Sequence, residues 1–116
     1  MNGMGRRITV PIAISADPGS DKYYELWEVD FPKVRTDEIE LHFEDGVMNV
    51  LFASLYYGDM KVAPETGEWT SDGGVIRDYP DIVYYRGDKI RLRVRNEDTA
   101  NPHKIWGTLE LEEEEE

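Results

Sequence analysis

Asp81-Ile-Val-Tyr-Tyr-Arg-Gly-Asp-Lys-Ile-Arg-Leu-Arg-Val-Arg-Asn96 is the stretch whose reading decides the fold. From Lys89 to Arg95 charged and apolar residues alternate with period two. Ile90, Leu92 and Val94 therefore share one side and Arg91, Arg93 and Arg95 the other, the pattern of a half-buried strand. Gly87-Asp88 supplies a turn before it. With Gly87 opening a type II′ turn, a hairpin is predicted in which Val83 faces Leu92 and Tyr85 faces Ile90, with Tyr84 outside beside Arg91.

The same alternation extends outward in both directions. Arg7 to Ser15 puts Ile8, Val10, Ile12 and Ile14 on one face. Pro11 has no N–H for a ladder, so this strand belongs at an edge, or its proline side turns away from any partner. Asp17-Pro18-Gly19 is the residue order of a type II turn. Tyr23 to Phe31 reads as a second strand with Tyr23, Trp27, Val29 and Phe31 on one face, ended by Pro32. Asp45-Gly46 predicts a two-residue type I′ hairpin over Glu38 to Leu55, pairing Phe43 with Met48, Leu41 with Val50 and Ile39 with Phe52. That register turns Leu51, Ala53 and Leu55 outward. Two readings follow: a bulge or covering loop buries them within the domain, or they form a subunit contact.

From Gly58 to Tyr79 the periodicity dissolves among Gly, Pro, Asp and Ser, a long loop of the kind that is often functional. After a polar turn at Glu97 to His103, Ile105, Gly107, Leu109 and Leu111 alternate with Trp106, Thr108 and Glu110 in a closing strand. No window has a helical period. The expected architecture is all-β: one antiparallel β-sandwich of seven or eight strands, jelly-roll or immunoglobulin-like, over residues 6–111. It is flanked by a flexible arm at 1–5 and an acidic tail at 112–116.

Composition narrows the function classes. A formal charge of −12 over 116 residues argues against general nucleic-acid binding, which draws its affinity from basic surface. The absence of cysteine removes disulfides, thiolate metal sites and a cysteine nucleophile. No run of about 18 apolar residues predicts a membrane span, and no basic-then-apolar leader is visible.

Candidate chemistry is sparse. His42 sits among glutamates on an alternating strand, and no Gly-x-Ser-x-Gly elbow accompanies either histidine, so no catalytic residues, cofactor or metal are expected. The acidic turns at Asp17–Asp21 and Asp72 lack the spacing of a calcium loop. Arg86-Gly87-Asp88 is explained by its turn. Paired tyrosines place one ring in and one ring out on a strand, which leaves Trp69, with Tyr57, as the candidate platform for a glycan or other ligand. Residues 86–95 carry a local charge of +4 in an otherwise acidic chain. One account is cross-strand pairing with Glu38, Glu40 or Glu110. The other is that Arg91, Arg93 and Arg95 receive Glu112, Glu113 and Glu114 of a neighbouring copy, since a free glutamate run repels itself.

Gly87-Asp88, the Ile90–Arg95 strand, Asn96 and His103 resemble the corresponding segment of cupredoxin-like domains; without a cysteine only the sandwich topology is implied, not blue copper. In overall character the strand Arg7–Ser15, the Gly87-Asp88 turn and the closing strand Ile105–Leu111 resemble the small jelly-roll or sandwich proteins of tailed-phage and archaeal-virus capsids and tails. That resemblance implies a non-enzymatic virion component, such as a capsid decoration protein, whose partners are copies of itself or a protein lattice. The alternative expectation is a glycan-binding module built on Trp69 and the 58–79 loop.

Overall fold

The computed structural model describes residues 5–46 and 48–114. Among these there are ten strands and no helix: β1 (Arg7–Ala16), β2 (Asp21–Glu28), β3 (Lys33–Phe43), β4 (Leu51–Tyr57), β5 (Met60–Ala63), β6 (Trp69–Thr70), β7 (Val75–Asp78), β8 (Val83–Tyr85), β9 (Lys89–Asn96) and β10 (His103–Glu113). The first sheet runs β1-β10-β3 with β7 and β8 both on the far side of β3. The second runs β2-β9-β4 with β5 and β6 both on the far side of β4. All pairings are antiparallel. Counting β5/β6 and β7/β8 as one position each gives eight positions in two four-stranded layers. Successive positions pass from one layer to the other at every step except from β4 to β5/β6, which is jelly-roll topology.

The core is the alternation made solid. Ile39, Leu41, Ile105, Leu109 and Leu111 from the first sheet meet Leu51, Ala53, Leu55, Ile90, Leu92 and Val94 from the second, all at 0 % exposure. Each large member contributes about 1.5–3 kcal/mol by leaving water.

Both expected hairpins are overturned. β8 joins the first sheet through Lys33↔Tyr85 and Arg35↔Val83, while β9 joins the second. Asp88 N does donate to Tyr85 O at 2.9 Å, but Gly87, at φ 91, is the third turn residue and not the second. That is type II geometry, which splays its flanking strands. Gly87 N then donates to Val29 O, and Val29 N to Asp88 O, tying this crossing to the one at 29–32. At Asp45-Gly46 the hairpin register likewise fails. β3 already has β10 on one side and β7 and β8 on the other, so no place beside it remains for β4. The chain turns through left-handed Gly46, Met48 and Asn49 and crosses to the second sheet.

The edge expectation for β1 holds, since it pairs only with β10. Glu113 N donates to Arg6 O, so in this unbroken register the even-numbered residues of β1 bond to β10 and the odd-numbered ones point outward. Pro11, an odd position, thus puts its missing N–H on the open side, where it interrupts the row that another strand would use. In β2 a bulge between Glu25 and Trp27 shifts the parity. Tyr23 is consequently 52 % exposed, whereas Val29 is buried. The 58–79 segment is not a single loop, because it contains β5 and β6, which pair with β4, and β7, which pairs with β3. Nor does the acidic tail start at 112, because β10 continues through Glu113.

Gly107 lies on β10 hard against β3: its φ is 155, and a Cβ there would sit 1.8 Å from Glu40 O. Gly58 also has a left-handed φ, 59, but open space around it. Urea denaturation should therefore show Gly107→Ala losing about 3 kcal/mol and Gly58→Ala only about 1 kcal/mol. Equal losses would refute this account of the β10–β3 contact.

Candidate functional site

Most of the residues first expected to form an assembly surface are engaged within the chain. Leu51, Ala53 and Leu55 are core, so they offer nothing to a partner. The reason is parity: with the hairpin gone, β4 turns its odd residues inward and Phe52 outward, where the Arg95 guanidinium lies 4.4 Å over its ring. Arg93 grips Asp21 with two bonds, at 2.8 and 2.6 Å, and Arg95 binds Glu68 at 2.7 Å and also Glu97. Arg91 stands in register between Glu25 and Tyr56. These partners are not the Glu38, Glu40 and Glu110 set, which lies on the other sheet. Glu112 pairs with Arg7 at 3.5 Å, Glu113 with Arg6 at 3.8 Å, and Glu114 with Lys33 at 3.4 Å and with Arg35. Arg35, followed by Lys33, holds the Glu114 carboxyl below its ordinary range.

The ligand platform is also withdrawn. Trp69 is buried at 6 % exposure and donates its indole N–H to Asp78 at 2.9 Å. Tyr57 stacks on the fully buried Tyr84 with ring centroids 4.9 Å apart. Burial pushes the Tyr84 hydroxyl well above the usual phenol range; it donates to Tyr56 O.

Two arrangements stand out in their place. At one end of the sandwich His103 lies between two carboxylates, with Nδ1 2.8 Å from Glu44 and Nε2 2.7 Å from Asp98. Both nitrogens can donate only as an imidazolium, so the geometry selects the charged ring. Burial opposes that charge, but the bonds from Asp98 and Glu44 outweigh it, and the His103 pKa is raised. Asp98 is drawn down to about 2, first by the Ala100 backbone N–H and then by His103. With both nitrogens engaged, His103 presents no free lone pair to a metal. Among the described residues no three His, Asp or Glu side chains are grouped to hold one.

The second arrangement lies on the outer face of the first sheet. Ala13, Trp106, His42 and Val75 form one row across β1, β10, β3 and β7. Trp106 and Val75 are each 44 % exposed. The Trp106 and His42 rings stack at 13° with centroids 5.8 Å apart. His42 and Arg77 both bind Glu40, at 2.7 and 2.9 Å, and hold its carboxyl below the ordinary range. Beside the row, Ala13, Ile14, Ser15, Lys104, Ile105 and Trp106 line an apolar groove of about 380 Å³. The sequence places Trp106 on the polar side of its strand. That Ala13, His42 and Val75 stand beside it is a matter of register between distant strands.

No family model and no curated protein matches the chain. Among solved structures it is similar to a chain from Bacillus endospore appendages, described as a novel family of disulfide-linked pili, with TM-score 0.55 and 10% identity, covering 99% of this chain and 95% of that one. It is also similar to a chain in the structure of infectious bursal disease virus Gt strain, with TM-score 0.51 and 17% identity over 94% of this chain, though it spans only 32% of that chain. At these identities the likeness is one of fold: the two-sheet sandwich of this chain is shared with both. Among the described residues no helix is long and apolar enough to cross a membrane.

His103 sets a direction for pH dependence. Because its folded pKa is raised, its contribution to stability is complete below the ordinary imidazole value of about 6.5 and fades as pH rises through the folded value. The melting temperature of the parent should exceed that of His103→Gln most near pH 5.5, with the gap closing toward pH 9. A gap that is constant with pH would refute the double-carboxylate assignment.

Proposed function

We propose that this chain is a non-enzymatic structural protein that acts by binding copies of itself or a repetitive protein lattice, as a component of a virion or a comparable extended assembly. The observation that carries the reading is end-to-end likeness: the pilus chain and this one share the sandwich over nearly the full length of both. The viral chain adds a second neighbour from a repetitive particle. The surface supports the same reading. Most charged groups on both outer faces are paired with one another, and His42 and His103 both contact carboxylates rather than a hydroxyl nucleophile.

The chain has no cysteine, so association here would not run through disulfides, unlike that of the disulfide-linked pili. Sedimentation velocity and negative-stain microscopy from micromolar to millimolar protein should show species larger than the monomer that are indifferent to reducing agent. A strict monomer over that range, with no binding to particles purified from the source, would overturn the reading.

A further inference from the structure

The outer face of the first sheet carries one aromatic-apolar band in a field of compensated charge. Its rows can be read from the register. Ala13, Trp106, His42 and Val75 form the central row. On one side lie Ser15 and Lys104, and on the other Thr108, Glu40 and Arg77. Lys104 is exposed and, among the described residues, has no carboxylate within 4 Å of its ammonium. Lys104 and Glu40 therefore sit on opposite sides of the same band, on adjacent strands.

That arrangement is self-complementary. Rotation by a half turn about an axis along the band lays the row on its own counterpart and brings Lys104 of each copy over Thr108 and Glu40 of the other. We propose that a second copy of this chain docks here, the two first sheets packing face to face about a two-fold axis along the Trp106 row. The proposal rests on the reading of the chain as a self-associating structural protein and names the surface it uses. Contacts of this kind are isologous, each residue pair occurring twice.

Size agrees with a modest contact. Four strand positions about 4.8 Å apart and ten residues of about 3.3 Å each give a face of about 19 by 33 Å. That is about 600 Å² per copy, against about 800 Å² in a standard stable interface. Such a contact is weak in isolation and gains strength when repeated in a lattice. The second sheet is less suited to the role. At the centre of its outer face stand Arg93 and Arg95, bonded to Asp21, Glu68 and Glu97, where the first sheet has the Trp106 row and a Lys104 unpaired among the described residues.

The test compares the full chain with variants by sedimentation velocity and by chemical linkage. Trp106→Ser, at a half-exposed position, should leave the melting temperature nearly unchanged and weaken self-association by roughly tenfold or more. Lys104→Glu should weaken it less, and the double variant K104E/E40K should recover most of that loss. Because the chain has no cysteine, Val75→Cys gives a single thiol on the band, and a short bis-maleimide should join two copies through it. Tyr23→Cys on the second sheet should remain unlinked. Undiminished association of Trp106→Ser, or linkage through Tyr23→Cys instead, would overturn this interface while leaving the structural role intact. A parent that stays monomeric with Val75→Cys unlinked would end this interface, the structural role then being decided by the particle-binding test, and a monomer whose tryptophan fluorescence shifts on soluble glycans in the parent but not in Trp106→Ser would replace the second copy by a sugar.

Discussion

The pairing of β10 with β1 on one flank and β3 on the other is the contact on which the first sheet depends. It joins Arg7 to Glu112 and continues without a register break to Ala16 and His103. Everything else in that layer is hung from it. β10 places Ile105, Leu109 and Leu111 in the core, sets Trp106 outside, and requires a residue without a side chain at Gly107 where Glu40 O closes in. The entropy of closing such a long loop must be met before the contact returns anything, so the fold belongs to the slow, high-contact-order class.

What the sequence discloses and what it conceals divide along one line. Alternation is local, and β1, β9 and the inward face of β10 were legible from it, as was the edge position that Pro11 demands. Pairing is not local. Asp45-Gly46 and Gly87-Asp88 carry the chemistry of tight turns and do turn the chain sharply, yet each delivers it to the opposite sheet, because the flanks of β3 in the first case and of β9 in the second are occupied by strands from elsewhere in the chain. Nothing near residue 45 records that occupancy. The consequence spreads to the surface: once β4 left β3, its parity reversed, and Leu51, Ala53 and Leu55 went from an imagined exterior into the core. In β2 a single bulge did the same to Tyr23.

The electrostatic pattern was half legible. In the dense arginine stripe Arg93 and Arg95 have partners, and while Glu97 is a near neighbour in the chain, Asp21 and Glu68 were not legible as candidates until β2 was set beside β9 and β6 beside β4. The glutamates of the closing strand find Arg6, Arg7, Lys33 and Arg35 for the same reason. Exposed pairs of this sort are each worth little and are screened by salt. Their effect is to leave both faces polar and largely matched, so that the Trp106 row is the part of the first sheet where apolar surface stands exposed among the described residues.

The placement of β10 also bears on how the molecule is made. Translation releases β1 and β3 while the strand that must lie between them is still being assembled, so for that interval two unsatisfied backbone edges and the apolar sides of Val10, Ile12, Ile39 and Leu41 stand open on the nascent chain. Pro11 blunts the edge of β1 that stays free in the finished protein, but offers no protection on the edge that waits for its partner. The interval closes only when residues 103–113 have cleared the ribosome, which ties productive folding of this domain to completion of its final strand.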